Sequence, residues 1–342
     1  YDAANRVVNK KDNQDLNETY TYDKAGNRLT LTNSLGEVTQ YSYNSDNQLT
    51  KVVYADKTSE TFTYDVMGNV ASSTDQEGKT KTYHYDQNGN LLKTVDHLKR
   101  ETKYSYDALN RVVTESDADG NTSTYEYDVL GNLSKMTDAN GHSSSYGYDA
   151  NKKLVLYTDP NGQATAFKYD PLGRIIETVA PTGSKQTFTY DALGNRLSET
   201  SGEGHTTTYS YDSMNRVSSK KRPTGGETQY AYDATGSLAK ETDANGHSTN
   251  YVNDLYGRVT KRTLPNEAAY TYAYDALGRL TKQTGPQGLS KTYSYDVSGN
   301  LVKETDQSDR SNHYSYDKVG RLLTAKNALD LETKYSYDEA GN

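Results

Sequence analysis

Six histidines and a set of carboxylate-rich turns are the groups in this 342-residue chain whose chemistry suits metal binding or proton transfer. The histidines are His84, His97, His142, His205, His247 and His313, and three of them, His142, His205 and His247, directly follow a turn glycine. His205 and His247 are the nearest of these three, yet four strands separate them in the reading below. At about 4.8 Å per strand that is about 19 Å, far beyond a metal–nitrogen bond of about 2 Å. The stretch Asp117-Ala118-Asp119-Gly120-Asn121 gathers oxygen ligands round a glycine, as calcium loops do. It lacks the full twelve-residue loop with its closing Glu, and an Asp that opens a turn already has a local task in bonding the turn backbone. With no cysteine there is no thiolate nucleophile, no disulfide and no thiolate metal site. No nucleophile stands beside a base, and no glycine loop suits a phosphate. Carboxylates that recur in many equivalent copies do not make the unique converging pair that acid–base catalysis needs. The expectation is a non-enzyme with no catalytic residue, no metal and no cofactor.

What the chain does have is a repeat. Tyr-Asp pairs start at 1, 22, 43, 64 and every 21 residues through 337, so the chain is sixteen units of 21 residues and a partial seventeenth, with no insertion or deletion. Position one is Tyr except at Asn253, and position two is Asp except at Asn44. Position twenty is always aromatic: Tyr, or Phe at Phe62, Phe167 and Phe188. Leu, Val, Ile and Phe make up only about 15% of the residues, below the roughly 20% at which disorder becomes the default. The net charge of −8 is small for this length, however, and 33 tyrosines supply the missing apolar area. Tyrosine is the main hydrophobe of a chain that folds.

The alternation in Thr292-Tyr293-Ser294-Tyr295 and Thr187-Phe188-Thr189-Tyr190 predicts one strand per repeat. Arg174-Ile175-Ile176-Glu177-Thr178-Val179 and Asn300-Leu301-Val302-Lys303-Glu304-Thr305 predict a second. Two turns join them. The first runs from the Tyr-Asp pair to position five, which is Gly, Asn or, once, Lys152, the choice expected where φ is positive. The second reads Asp138-Ala139-Asn140-Gly141 or Asp159-Pro160-Asn161-Gly162, a type I turn followed by a left-handed residue. Pro160, Pro181, Pro223, Pro265 and Pro286 fall second in this turn and Pro171 second in the other, where no ladder N–H is lost. Because 21 is odd and side chains alternate faces, successive aromatic pairs would switch faces unless each repeat holds a bulge or a four-residue loop. Positions seven and eight, often both apolar as in Val112-Val113, Ile175-Ile176 and Leu322-Leu323, or the Gly of the Tyr-Asp turn, are the expected places. Arg28 and Arg196 interrupt the apolar column at position seven; each precedes a Leu and predicts a local register adjustment.

The expected fold is therefore all-β: antiparallel hairpins of 21 residues joined into one long strip over 1–342, which native twist should coil into a spiral, tube or hollow wall. A propeller with 42-residue blades is the rival, but odd and even repeats do not differ as inner and outer strands would. The candidate structural residues are Tyr64, Asp65 and Gly68; Tyr127, Asp128 and Gly131; Tyr190, Asp191 and Gly194; Tyr274, Asp275 and Gly278; and the strand pair Tyr293 and Tyr295.

Segments such as Tyr274-Asp275-Ala276-Leu277-Gly278-Arg279-Leu280 and Tyr190-Asp191-Ala192-Leu193-Gly194-Asn195-Arg196-Leu197 resemble the YD repeat of the Rhs family along the whole chain. That family includes bacterial Rhs polymorphic toxins, the cocoon-forming subunits of insecticidal Tc toxin complexes, wall-associated proteins of Gram-positive bacteria and the animal teneurins. The resemblance implies a β-strip wound into a hollow shell that, in the toxins, encloses a C-terminal effector. It also implies a secreted or cell-surface, cell-wall location, with the protein's own C-terminal toxin or effector as partner. This chain shows neither the Asp-Pro-rich core signature that closes such a shell nor a toxin domain, and reads as an internal piece of a longer protein. An adhesive ribbon whose aromatic rows bind surface glycans is the alternative. An acidic balance, pI near 5.4, argues against nucleic acid as a partner, and no apolar run is long enough for a transmembrane helix.

Overall fold

The computed structural model describes residues 1–12, 16–338 and 341–342. Among them are 32 short strands, all antiparallel and all in one sheet, and a single 3-10 turn at Pro286–Gly288. Membership of a single sheet removes the propeller, whose blades would be separate sheets. The chain forms two compact units, one of Tyr1–Thr102 with Ala269–Asn342 and the other of Lys103–Ala268.

Within each unit the strands follow the sequence. In Lys103–Ala268, strand Thr122–Tyr127 pairs with Leu133–Thr137, which pairs in turn with Ser143–Tyr148. In the other unit, Ser59–Tyr64 pairs with Val70–Thr74 in the same way. Both edges carry one backbone turn. Gly194 N–H donates to the Asp191 carbonyl at 3.2 Å and Asp191 N–H to that of Asn195 at 2.9 Å; on the opposite edge Gly204 and Ser201 N–H donate to Ser201 and His205 carbonyls, each at 2.9 Å. The fourth turn residue takes a left-handed φ, +95° at Gly194 and +81° at Gly204, and Asn215 and Lys152 adopt the same region near +60°. The 3-10 turn is a local exception. Gly285 replaces the opening Asp, and both Gln287 and Gly288 have positive φ.

The expected parity device is a bulge at positions seven and eight. Thr189 faces Ser198 but Tyr190 faces Arg196, so Leu197 is passed over. The same shift recurs where Tyr127 faces Leu133 and where Tyr64 faces Val70. One extra residue per repeat cancels the odd period, and all aromatic pairs within a unit share one face. Arg28 and Arg196 cause no register adjustment, contrary to the expectation: Tyr22 faces Arg28 and Tyr190 faces Arg196 in the register that apolar residues adopt elsewhere. Their guanidiniums lie instead over the next strand's rings, Arg28 4.5 Å from Tyr41 and Arg196 5.1 Å from Tyr209. A flat cation on a flexible stem replaces an aliphatic group without moving the backbone.

The opposite face carries hydroxyls. Thr189 and Ser198 share a hydrogen bond of 2.6 Å, and Thr200 and Thr206 one of 2.9 Å. Burial is shallow throughout. Val52 and Thr94, both on the tyrosine face, are the buried residues among those described, and neither is fully buried. A single-layer sheet relies on its ladders and on half-buried aromatic rows rather than on a sealed core.

Candidate functional site

The Tyr-Asp turn is built round its carboxylate. One oxygen of Asp65 accepts the N–H groups of Met67 and Asn69 at 2.9 Å each, and the other accepts the Asn69 side-chain amide at 3.0 Å. Asp128 and Asp191 repeat this with Asn132 and Asn195, and Asp275 does so with the Arg279 guanidinium at 2.7 Å. The Asn195 amide, then the backbone donors, hold the Asp191 carboxyl below the usual carboxylate range. Asp117, the calcium candidate, is occupied likewise by Asp119 and Asn121. His142 and His247 place Nδ1 3.2 Å from the turn's Asp and remain exposed, so they sit in the turns as solvated residues. No group of three or more His, Cys, Asp or Glu that would suit a metal occurs among the described residues.

The tyrosine of the pair reaches backward. Tyr64 OH donates to the Leu49 carbonyl at 2.7 Å, Tyr127 to Val112 at 2.8 Å, Tyr190 to Ile175 at 2.8 Å and Tyr295 to Leu280 at 2.9 Å. Each acceptor is the position-seven carbonyl of the preceding repeat, beside the bulge, where the ladder is interrupted. The tyrosine is thus both wall and hydrogen-bond donor, which explains why Phe never replaces it at position one although it does at position twenty. Tyr293, at position twenty, faces Glu304 on the adjoining strand. Asn253 keeps the bond without the ring. Its amide donates to the Leu238 carbonyl at 2.9 Å and to Asp233 at 3.1 Å. Thr235, then Asn253, draw the Asp233 carboxyl down to about 2.

Position six is the column that the sequence reading passed over. Arg174 donates Nε to Asp170 at 2.7 Å and Nη1 to the Asp191 carbonyl of the next repeat at 2.7 Å, and lies 4.7 Å from the Tyr190 ring. Arg111 over Tyr127, Arg216 over Tyr232 and Arg279 over Tyr295 repeat the stack at 4.4–4.8 Å. One cation therefore fastens its own turn and the following repeat. The signal was present as a column of Arg and Asn directly after the turn's Gly. That Gly is favoured for its φ, and at Gly173 the flexible end of Lys153, the preceding repeat's position-six side chain, also lies where a Cβ would go.

Within the unit of Tyr1–Thr102 and Ala269–Asn342, the two edges meet. Ser298 Oγ donates to Asp56 at 2.7 Å, and Arg321 Nη2 pairs with Glu77 at 2.6 Å. Asp56 and Glu77 are second-turn residues of consecutive repeats, and Ser298 and Arg321 belong to Tyr-Asp turns of consecutive repeats, so the seam advances repeat by repeat. Leu31, Tyr54, Val297 and Val319 line a cavity along it. Coverage shows in Val297, 41% exposed, whereas Val66 and Val129 at the same repeat position are fully exposed. Burial opposes ionisation of Asp56, but hydrogen bonds from Thr58 and Ser298 outweigh it and the carboxyl is lowered.

Two family models match the chain. The RHS repeat model matches 1–38, 22–59, 43–80, 64–96, 85–122, 106–143 and 274–311, together more than half of the residues. The teneurin YD-shell model matches 160–291. No curated protein matches in sequence. Among solved structures, a crystal structure of TcdB2-TccC3-Cdc42 aligns with TM-score 0.78 at 15% identity, covering 95% of this chain and 21% of that one. Crystals of TcdB2-TccC3-TEV align at 0.63 and 17% identity over 95% of this chain and 23% of theirs. The Photorhabdus luminescens Tc holotoxin pore aligns at 0.61 and 15% identity over 93% and 22%. The chain thus spans about a fifth of the length of the structures it matches.

Proposed function

Since this chain belongs to the RHS-repeat family, we propose that it is a stretch of wall in a β-shell that encloses a toxin or effector lying C-terminal to the repeats of a longer, secreted or surface-anchored bacterial protein. The observation that carries the reading is the segregation of the sheet into one tyrosine face and one hydroxyl face, kept constant within each unit by a bulge in every repeat. A strip with two unlike faces suits a boundary between an enclosed space and solvent. The fold shared with TcdB2-TccC3 supports the same reading. The side chains of the repeat are engaged in holding neighbouring repeats together, which supports a structural task rather than a catalytic one. The array of 1–342 then acts as one continuous segment of that wall, with the Tyr-Asp-Gly columns as its fastening.

Limited proteolysis of the longer protein tests this. A domain C-terminal to the repeats should resist protease in the native protein and become cleavable only when urea unfolds the array. Cleavage at the rate of the same domain expressed alone would overturn the proposal.

A further inference from the structure

The seam encloses a space as well as joining two edges. A cavity of about 390 Å³ lies where the second turns at 33–37 and 54–58 meet the Tyr-Asp turns at 296–300 and 317–321. That size falls within the roughly 300–1,000 Å³ of small-molecule sites. Both walls belong to the unit of Tyr1–Thr102 and Ala269–Asn342. Leu31, Val297 and Val319 give the cavity an apolar side, and Tyr54, which opens its turn where the next has Asp75, adds a ring. The carboxamides of Asn33, Gln76 and Asn300 and the hydroxyl of Thr39 give it a polar one. The charged groups in the lining are two carboxylates, Glu37 and Asp56, and one ammonium, Lys318. Glu37 accepts the Asn33 amide at 2.6 Å and Asp56 the Ser298 hydroxyl at 2.7 Å, whereas Lys318 pairs with no carboxylate among the described residues.

We infer that the seam cavity is a binding site for a neutral sugar, one or two pyranose rings in size. Sugar hydroxyls each donate and accept, as carboxamides do, so a ring that carries several can satisfy Asn33, Gln76 and Asn300 without bringing a charge. The C–H face of the same ring suits Leu31, Val297, Val319 and the flat side of Tyr54. The lining disfavours the other classes of small molecule. An anion meets Glu37 and Asp56, a cation meets Lys318, and an apolar molecule strips water from the carboxamides and carboxylates without replacing it. A sugar held there touches second turns and Tyr-Asp turns at once, so its binding energy stabilises the closed seam by mass action. The inference does not rest on what the wall encloses.

Titration calorimetry of the full 342-residue chain with cellobiose, maltose and diacetylchitobiose tests it, with phosphate and lysine as charged probes. The expected result is saturable binding of at least one disaccharide. Hydrogen exchange should slow in its presence at 54–58 and 317–321 and stay unchanged through 103–268. Gln76→Ala with Lys318→Ala, neither of which caps its turn, should weaken Kd at least tenfold with circular dichroism unchanged. Val297→Phe, which fills the cavity, should do the same, whereas Val129→Phe, at the same repeat position in the other unit, should leave binding intact. The inference is overturned if no disaccharide binds, if phosphate or lysine binds in place of the sugars, or if the cavity variants bind as well as the parent chain.

Discussion

The two turns of the repeat share one backbone and differ in reach. The second turn at 201–205 closes its own hairpin with main-chain bonds and a serine that stays local, and only at the seam do second-turn side chains such as Asp56 and Glu77 reach farther. The Tyr-Asp turn, as at 191–195, closes in the same way, but its neighbours act on other repeats. Tyr190 bonds a carbonyl of the repeat before it, and Arg174 bonds the backbone and stacks on the ring of the repeat after its own. The difference teaches that conformation and connection are separable. Turn chemistry fixes each hairpin, backbone ladders join one repeat to the next, and a few long side chains on one edge add a second tie between them.

The sharpest way to break this contrast is to remove a connector. Tyr190→Ala should cost about 3 kcal/mol, because ring burial is lost and the Ile175 carbonyl is left without its donor. Tyr190→Phe should cost about 1 kcal/mol from the hydroxyl alone. Hydrogen exchange should localise the loss to the two repeats that share the bond; a loss confined to one hairpin would mean that the tyrosine does not connect them.

Paired glycine changes come next. Gly162→Ala, in a second turn with open space round it, should cost about 1 kcal/mol for the left-handed backbone. Gly173→Ala, in a Tyr-Asp turn, should cost slightly more, about 1.5 kcal/mol, because its Cβ also makes the flexible end of Lys153 swing aside. Equal denaturation midpoints would remove the distinction between the turns.

The smallest effect concerns pH. The folded Asp233 carboxyl titrates at about 2, below its ordinary 3.8, so its contribution is present above pH 4 and is lost as pH falls from about 4 towards 2. Asn253→Tyr removes one of its donors and should move the Asp233 titration upward, as followed by carboxyl NMR, with less stability lost on acidification. An unmoved titration would show that Asn253 has no hold on the carboxylate.

Much of this was legible in the chain because a period of 21 exposes each position many times. The strands, both turns and the need for a bulge or a four-residue loop follow from alternation, positive-φ residues and the oddness of the period, whereas its place at positions seven and eight rather than at the Tyr-Asp glycine is seen only once the strands have paired. Arg174 was less visible, because its role depends on which ring lies beside it once the strands have paired. Arg28 and Arg196 misled for a related reason: on sequence they break an apolar column, whereas in space their guanidiniums lie flat on Tyr41 and Tyr209. The seam was not legible at all. Ser298 and Asp56 lie 242 residues apart, and nothing local in either turn names its partner. Pro286 shows the limit of reading a turn from one residue: Gln287 and Gly288 both take positive φ there, although Pro160 occupies the same position in an ordinary turn.

The bulge also bears on how such a gene can change. Deleting the single codon for Leu197 would only remove the residue that the pairing already skips, but deleting the codon for a ladder residue such as Thr187 would send Phe188, Tyr190 and the later tyrosines of that unit to the opposite face, whereas deleting or duplicating a block of twenty-one codons would leave every face as it was. Unequal recombination between repeats is thus tolerated where a one-codon slip within a ladder is not. The array is a structure that lengthens and shortens most readily in whole steps, in keeping with sixteen successive repeats of one length.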